Sequence, residues 1–298
     1  ASGAYDTAMA VGVEKVKDSG YQGLNAFPMP TAGTNRTLTA AAMYSLVLPA
    51  YAKKFGVDED ELRMVVAKIA EKNHFNGARN PLAQFRREMS AEAICDMAAV
   101  AGKLSVFDCA GVADGAAAAI VVSAEKAYEY TDKPMFIKAL SLVSGNGSGL
   151  IDPEYDYTTF PECAAAAEDA YLQAGITNPR EELALAEVHD CFTPTELILM
   201  EDLKFSERGE GWKDVLNGNF ALDGPLPVNT DGGLKSFGHP VGASGIRMHY
   251  ECWLQLRNEA PKERSIPQTG RNLGLVHNLG GYPGEMVSFV SILGTEID

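Results

Sequence analysis

Two reactive side chains, His189 and Cys191, lie two residues apart where a predicted strand, Leu183 to Val188, gives way to a predicted helix, Pro194 to Asp202. The start of a helix offers free backbone N–H groups and the positive end of the helix dipole, and both lower a thiol pKa. The spacing therefore predicts an acid/base pair. The alternative is a histidine that caps the strand and an inert, buried cysteine.

A second segment, residues 232–245, is rich in glycine and carries His239 just before Pro240. A helix is predicted to follow, from Gly245 to Arg257. Glycine lets the backbone approach a ligand closely, and the proline holds the histidine in a rigid turn. Such a histidine suits a general base or a donor to an oxyanion, although the same residues would also form an ordinary tight turn.

A third segment, residues 274–284, connects two predicted closing strands, Leu273 to Val276 and Met286 to Leu293. It contains Asn278 and Gly280. Its glycines can present backbone N–H groups to the negative charge that develops on a carbonyl oxygen during acyl transfer. A simple hairpin between the two strands is the alternative.

A fourth segment, residues 72–81, is predicted to be a polar loop in an otherwise helical region. Asn73 and His74 supply amide and imidazole groups that can contact a ligand. A solvated loop whose polar side chains bind its own backbone explains the pattern equally well.

The other cysteines indicate packing. Cys109 is predicted to be a small buried hydrophobe, and Cys95, Cys163 and Cys252 fall within helical patterns, where they are predicted to be packing or surface residues. No set of residues has the spacing of a zinc site, and no glycine-rich phosphate loop or dinucleotide fingerprint follows a strand. We therefore predict no metal and no permanently bound cofactor.

The composition is that of an acidic globular protein. Its 298 residues are 46% apolar and 22% charged, with a net charge of -15, which excludes a nucleic-acid binder because such a protein needs a basic surface. An anionic ligand must instead meet local Lys or Arg side chains or backbone N–H groups. An odd number of cysteines, five, without a C-x-x-C pair predicts reduced thiols and a cytoplasmic location, and no apolar run predicts a membrane span.

Strands and helices alternate from Lys133 onward, which is typical of a layered α/β domain with strands covered on both faces. Before this point, residues 7–13 and 114–122 are predicted to be buried strands, after a helix end and turn in residues 1–6. A helix start is the alternative for residues 114–122. Further predicted elements are helices at Leu38 to Phe55, Glu59 to Lys72 and Cys163 to Gly175, and a strand at Met135 to Val143.

Taken in order, these segments resemble the thiolase superfamily, specifically its sterol-carrier-protein type. The resemblance covers nearly the whole chain, and six motifs in the family's order make it specific where each alone is weak. The motifs are Ser2-Gly3-Ala4-Tyr5-Asp6 with Val11-Gly12-Val13-Glu14-Lys15, Lys72-Asn73-His74 with Asn80-Pro81, Asp114-Gly115-Ala116-Ala117-Ala118, His189-Asp190-Cys191-Phe192, Gly238-His239-Pro240, and His277-Asn278-Leu279-Gly280.

The resemblance implies a layered αβαβα fold with an inserted, mainly helical loop subdomain. Residues 1–20 would be the remainder of the N-terminal thiolase half, and residues 21–107 the inserted subdomain that covers coenzyme A. Residues 108–130 would supply the last strand and helix of the N-terminal half. Residues 131–298 would form the C-terminal half.

The resemblance also implies catalytic roles. His239 would activate a nucleophilic cysteine and line one oxyanion hole, and His189 would polarise the thioester oxygen with it. Cys191 would move the proton on the α-carbon. Asn278 takes the position of the acid/base cysteine in other thiolases, and the Gly280 N–H would belong to a second oxyanion hole.

The remaining site residues are implied to contact substrate. Tyr282 is bulkier than the glycine-rich segment usual in thiolases, so with Phe192 it would shape the acyl pocket for a bulky or branched group. The residues expected to contact the coenzyme are Asn73, His74, Cys109, Ala110 and Gly111.

In the family the nucleophilic cysteine lies on a helix shortly before the segment that matches Ser2-Gly3. That position falls ahead of residue 1, and none of the five cysteines matches it. We therefore expect this sequence to lack the N-terminal part that carries the nucleophile.

The function implied is a thiolase-type acyltransferase, which forms or cleaves a carbon–carbon bond in 3-oxoacyl-CoA with coenzyme A or acetyl-CoA as substrate, as in β-oxidation-like degradation. The alternatives are a thiolase-fold retro-aldolase that acts on an acyl-CoA, and a non-catalytic acyl-CoA-binding subunit. The resemblance also implies a homodimer, with a small zinc-ribbon and OB-fold protein as a possible partner subunit.

Overall fold

A computed structural model describes residues 3–16 and 39–297, apart from the Ser148 side chain. Predictions for residues 1, 2 and 17–38 lie outside the described residues, including the start of the helix predicted from Leu38. Within the described ranges, no helix is both long and apolar enough to cross a membrane.

The first part of the chain is mainly helical between two long strands. Its helices are α1 (Ala40–Tyr44), α2 (Val47–Phe55), α3 (Glu59–Ala78) and α4 (Ala91–Cys95), and its strands are β1 (Thr7–Glu14), β2 (Ala99–Ala101), β3 (Leu104–Ser105) and β4 (Gly115–Val122).

The second part alternates strands and helices. Its strands are β5 (Phe136–Ser144), β6 (Leu183–Glu187), β7 (Leu273–Tyr282) and β8 (Glu285–Gly294), and its helices are α5 (Pro161–Ala174), α6 (Pro179–Glu182), α7 (Thr193–Asp202), α8 (Gly211–Leu216), α9 (Gly233–Phe237) and α10 (Val241–Leu256). The strands and helices predicted from Lys133 onward are confirmed, although some of their bounds shift, by up to six residues.

The second part is built on a four-stranded sheet in the order β5-β8-β7-β6. β6 runs parallel to β7, and the other neighbours are antiparallel. Successive residues of β7 point to opposite faces, so Leu275 packs in the core with α5 and α7 while Val276 packs with α10. The sheet is therefore covered on both faces, as predicted.

Helix α10 also packs against a second sheet, in which β1 and β4 pair antiparallel over eight residues. The described residues thus form four successive layers: α5 with α7, the four-stranded sheet, α10, and the β1–β4 pair. Gly12 of β1 is required where β1 approaches the start of α10, because a Cβ there would lie 2.0 Å from the Gly242 carbonyl oxygen. The β1–β4 sheet is therefore held at backbone contact distance from the start of α10.

β1 and β4 are strands, as predicted, and the helix alternative for residues 114–122 is wrong. The prediction that both strands are buried is also wrong for the described residues. Met9, Val11 and Val13 are 64%, 59% and 67% exposed, because α10 covers only the opposite face of this sheet. The apolar run correctly predicted a strand, but it did not show whether another layer of the protein covers that strand.

The predicted polar loop at residues 72–81 is also wrong, because α3 continues to Ala78. Asn73 and His74 lie in its last turns and are buried. Gly77, which suggested a loop, is instead needed for packing, since a Cβ there would lie 2.2 Å from the Ser236 hydroxyl of α9. The helix is stabilised by tertiary contacts that its sequence does not reveal.

Candidate functional site

Eleven of the twelve residues predicted for the site line one cavity of about 1320 Å³. They are His74, Cys109, Ala110, Gly111, His189, Cys191, Phe192, His239, Asn278, Gly280 and Tyr282. Asn73 is not among the lining residues. Segments far apart in the chain thus converge on a single space, at the ends of the strands of the larger sheet, where ligands of open α/β sheets bind.

The segment 109–112 joins the two loops that carry the reactive side chains. The Ala110 N–H donates to the Cys191 carbonyl at 2.8 Å, and the His239 N–H donates to the Gly111 carbonyl at 2.7 Å. Single β-bridges pair Cys109 with Phe192 and Val112 with His239. Main-chain hydrogen bonds therefore fix Cys191 and His239 relative to each other.

The Asp190 carboxylate makes a second connection between the same loops. Oδ1 accepts from the Leu234 N–H at 2.6 Å, and Oδ2 accepts from the Lys235 N–H at 3.0 Å, so the side chain binds the start of α9. Asn73 donates to Asp190 Oδ2 at 2.7 Å and to Glu196 at 3.0 Å. Asn73 thus supports the loop from behind and does not face the cavity.

The hydrogen bonds of His239 define which ring nitrogen carries the proton. Nδ1 lies 2.8 Å from the Ser244 hydroxyl, which itself donates to the Pro240 carbonyl at 3.0 Å. His239 Nδ1 is therefore the donor, and Nε2 of the neutral ring keeps a lone pair. Burial lowers the pKa of His239 to about 4. The ring can accept a proton at neutral pH and, once charged, can donate from Nε2.

His189 lies beside His239, with ring centroids 5.1 Å apart and the planes almost perpendicular. Its Nδ1 lies 3.3 Å from Asn278 Oδ1. Burial, with the neighbouring His239, holds the pKa of His189 well below its ordinary value. In this arrangement His189 Nδ1 carries the proton and donates to Asn278 Oδ1, and Nε2 is an acceptor. If the Asn278 amide turned by 180°, its NH2 group would donate to Nδ1 and the ring proton would lie on Nε2.

The electrostatic prediction for Cys191 is wrong. Its loop does lie between a strand and a helix, but burial raises the pKa of the Cys191 thiol to about 12 and outweighs the helix start. Thr195, at 3.7 Å from Sγ, and the Tyr44 hydroxyl act in the opposite direction by hydrogen bonding. At neutral pH this residue is a protonated thiol.

Asn278, Gly280 and Tyr282 lie in strand β7, not in a loop, so the hairpin alternative describes the backbone correctly. Pairing between β6 and β7 ends at Val276, and beyond it this edge of β7 faces the cavity. Gly281 has a φ of +102°, and its carbonyl accepts from the Tyr44 hydroxyl at 3.2 Å. The strand thus brings three predicted residues to the cavity wall.

Several lining residues were not predicted from the sequence: Tyr44, Phe85, Phe107 and Lys235. Tyr44 stacks on Phe192, with ring centroids 4.8 Å apart. Lys235 lies within the glycine-rich segment that contains His239, and a charged residue there was the one available signal. Among the described residues, no group of three or more His, Cys, Asp or Glu is arranged to hold a metal ion.

Comparisons with known proteins agree with this architecture. The family model described as "Thiolase C-terminal domain-like" matches residues 147–295. An acetyl-CoA acetyltransferase of Methanothermobacter thermautotrophicus is 35% identical over 95% of this chain and 72% of its own length. Sterol carrier protein 2 of Oryctolagus cuniculus is 36% identical over 72% of this chain and 39% of its own length.

Among solved structures, the Ltp2-ChsH2(DUF35) aldolase superposes with a TM-score of 0.78, at 23% identity, over 98% of this chain and 73% of that chain. This likeness shows the layered fold. The family model matches half of this chain, and the acetyl-CoA acetyltransferase is covered over most of its own length. Both comparisons give the same assignment. The chain belongs to the thiolase superfamily and resembles its sterol-carrier-protein type.

Proposed function

We propose that this protein is a thiolase-type acyltransferase that cleaves or forms the bond between C2 and C3 of a 3-oxoacyl-CoA. One observation carries the proposal: His189 and Cys191, His239, and Gly280 line the same cavity although they come from three segments that are far apart in sequence. A protonated thiol and neutral imidazoles around one space supply the acid and base that this reaction needs.

In the direction of cleavage, a thiolate attacks the C3 carbonyl and negative charge develops on its oxygen. The C2–C3 bond then breaks, and its electrons form the enolate of the shorter acyl-CoA. Donors fixed near both oxygens lower the barrier, each by about 3 kcal/mol, the size typical of an oxyanion donor. We assign this role to the Gly280 N–H, to His239 after it has taken a proton, and to His189 in its Nε2–H tautomer.

Cys191 is proposed to protonate C2 of the enolate. Its raised pKa means that the thiol holds its proton at neutral pH, so it starts the cleavage half-reaction as an acid. The thiolate left behind is a strong base and regains a proton from the thiol of incoming coenzyme A. Coenzyme A then takes the acyl group, and the cycle returns Cys191 to its starting state.

Tyr282 supports a second candidate, a retro-aldolase that releases a carbonyl product without acyl transfer. Its ring lines the cavity, and burial raises the pKa of its hydroxyl, which remains a proton donor. Tyr282 also supports a preference for bulky or branched acyl groups. Cys191, which lines the same cavity as His189 and His239, supports the thiolase reaction instead.

Cys191→Ala tests the proposal in the full-length protein. We expect turnover of a 3-oxoacyl-CoA with coenzyme A to fall about 10²- to 10⁴-fold, the usual contribution of a general acid or base. The measurement is the steady-state appearance of the two acyl-CoA products by chromatography. Near-normal turnover in this variant would remove Cys191 from the mechanism.

Cys95→Ala is the matched control, because Cys95 is a cysteine of α4 that does not line the cavity. It should keep wild-type turnover, and both variants should keep the wild-type circular dichroism spectrum. Omission of coenzyme A separates the two enzymatic candidates. A thiolase then stops after at most one turnover, whereas a retro-aldolase given a 3-hydroxyacyl-CoA continues to release an aldehyde or ketone.

We also propose that the protein works with a second subunit. The support is limited to a solved relative of the same fold whose name joins two proteins, Ltp2 and ChsH2(DUF35). A homodimer is the second possibility. Light scattering of the purified protein, alone and after co-expression with its genomic neighbours, distinguishes a monomer, a homodimer and a mixed complex.

A further inference from the structure

Lys235 is the one Lys, Arg, Asp or Glu among the described residues that line the cavity. The residue is 2% exposed. The four histidines of the wall, His74, His189, His239 and His249, all have pKa values lowered by burial and are neutral at pH 7. Within a protein of net charge -15, the described residues of the cavity wall therefore include a single lysine, whose pKa is lowered by burial, and no carboxylate.

Within the described part of the chain, the Lys235 ammonium forms no hydrogen bond and no ion pair. Nζ lies over two aromatic rings, 5.5 Å from the centroid of Phe85 and 5.8 Å from that of Phe107. Aromatic faces attract a cation but do not satisfy its N–H donors. A buried cation without hydrogen-bond partners destabilises the folded protein. A bound anion at this position would supply the hydrogen-bond acceptors that the Lys235 ammonium lacks.

The two nearby carboxylates are already bound by other groups. Asp108 accepts from Arg63, Thr193 and Ser105, at distances of 2.8 to 3.0 Å. Asp190 binds backbone N–H groups at the start of α9 and the Asn73 amide. Neither side chain can turn toward Lys235 without breaking these bonds. Neither of these two carboxylates is therefore available to Lys235, which favours an anion that enters the cavity with the substrate.

We propose that Lys235 binds a second carboxylate on the acyl group, so that the preferred substrates are CoA thioesters of dicarboxylic acids. This inference rests on the proposed function for the identity of the thioester. The Lys235 N–H donates to Asp190, the residue before Cys191, so the backbone of Lys235 lies beside the loop that carries the acid/base thiol. The proposal requires that a short acyl chain with its thioester at this loop extends its second carboxylate to the Lys235 ammonium, which lines the same cavity.

Thioether analogues of coenzyme A test binding without any chemistry, because they lack the reactive carbonyl. The series is carboxyethyl-, carboxypropyl- and carboxybutyl-CoA, each compared with propyl-, butyl- or pentyl-CoA of equal carbon number, by calorimetry on the full-length protein. We expect at least one carboxylated analogue to bind about 10- to 100-fold more tightly than its neutral match, as a charge-assisted hydrogen bond allows.

Lys235→Met should abolish this preference and leave the affinity for the neutral analogues within about twofold. Lys235→Arg should retain part of it. The matched control is Lys213→Met, which removes a lysine that also lies over an aromatic ring, 5.4 Å from Trp212, but does not line the cavity. That variant should behave as the wild type.

Three results would overturn the inference. The first is a wild-type protein that does not distinguish the paired analogues. The second is an equal loss of affinity for free coenzyme A in Lys235→Met, which would assign the ammonium to a coenzyme phosphate. The third is a large fall in melting temperature in that variant, which would make Lys235 a counter-ion for the chain itself. If the preference is found but no 3-oxoacyl-CoA is turned over, the thiolase proposal fails and this one stands.

Discussion

His239 is positioned by a chain of two hydrogen bonds that ends on the carbonyl of the next residue, Pro240. Nδ1 donates to the Ser244 hydroxyl, and that hydroxyl donates to the Pro240 carbonyl. Ser244 lies in the first turns of α10, so the helix that separates the two sheets also selects the tautomer of the ring. The lone pair of Nε2 is then available to take a proton.

We predict that Ser244→Ala lowers kcat about tenfold or more with little change in KM, because the ring loses the acceptor that selects its tautomer. The measurement is steady-state thiolysis together with long-range ¹H–¹⁵N spectra of the imidazoles. Ser244→Thr is the matched control, since it keeps the hydroxyl. Equal kcat values for Ser244→Ala and the wild type would exclude the role of this hydrogen bond.

The same spectra test the protonation state. The pKa of His239 is lowered from 6.5 to about 4 by burial, so we expect its ring to stay neutral down to about pH 5. Because this pKa is lowered in the folded chain, its contribution to the free energy of unfolding is fully present above pH 6.5 and is lost as the pH falls towards 4. In that range the unfolded chain binds the proton more readily than the folded chain does. An imidazole of His239 that titrates near pH 6.5 would contradict the burial described for it.

At the scale of residues, the sequence predicted most of the cavity wall but not its electrostatics. The types and spacing of His189, Cys191 and His239 indicated acid/base chemistry, and these residues do line one space. The thiol pKa could not be predicted, since it depends on how deeply the loop is buried. Tyr44 was missed because it approaches the cavity from a helix without a recognisable motif, and Lys235 was missed although it lies in the same glycine-rich segment as His239.

Helix α3 positions the site from outside the cavity. Its last turns carry Asn73, which binds Asp190, and Gly77, which lets α9 approach. Because Asp190 binds the start of α9, the three elements α3, α9 and the β6–α7 loop form one connected unit. The geometry of the reactive residues thus depends on contacts between helices as well as on the groups that line the cavity.

Gly77→Ala tests this unit. In an open helical position the change would stabilise by up to about 1 kcal/mol. Here the new Cβ would lie 2.2 Å from the Ser236 hydroxyl, so we expect a loss of about 1–3 kcal/mol instead, seen as a lower melting temperature.

The double variant Gly77→Ala with Ser236→Gly is the control, because it removes the hydroxyl and the Cβ that the new methyl group would meet. It should recover part of the lost melting temperature, measured against Ser236→Gly alone. A single Gly77→Ala variant that melts at or above the wild-type temperature would show that α3 and α9 are not closely packed.

At the scale of elements, periodic apolar patterns predicted the strands and helices of the second part well. The errors fall where a local signal competes with tertiary contact. Gly77 and the polar residues near it indicated a loop, yet burial against α9 keeps them helical. β7 was predicted to end near Val276, but hydrogen bonds to β8 carry it through its glycines to Tyr282.

Helix α10 is the layer on which both sheets depend. One side of it packs against the four-stranded sheet, and β1 and β4 pack on another. Gly12 and Gly242 meet with no room for a side chain. Since His239 and Pro240 directly precede α10, any change in the spacing of these layers is transmitted to the ring that takes the proton.

We predict that Gly12→Ala lowers both the melting temperature and kcat, because its Cβ would lie 2.0 Å from the Gly242 carbonyl oxygen and the backbones must separate. Thermal melting and steady-state thiolysis are the measurements. Ala10→Ser, an exposed change in the same strand, should alter the free energy of unfolding by less than about 0.5 kcal/mol. A Gly12→Ala variant with wild-type stability would contradict the close approach.

At the scale of the whole molecule, the alternation of elements and the resemblance to a family predicted the layered fold, which the solved relatives bear out. The division into domains stays a prediction. The exposure of Met9, Val11 and Val13 was not foreseen, since an apolar strand pattern does not say which neighbours cover it. The contacts between layers depend on small residues such as Gly12. The role of such a residue can be recognised only in the folded structure.

The hydrogen bonds of segment 109–112 have a consequence for the timing of the reaction. Ala110 and Gly111 link the backbones of Cys191 and His239 through amide and carbonyl groups, none of which gains or loses a proton between pH 4 and 10. The separation of the Cys191 and His239 main chains should therefore stay constant while each side chain changes charge during a turnover. Each proton transfer would then take place on the same main-chain frame. The chain would not need to rearrange between one step and the next.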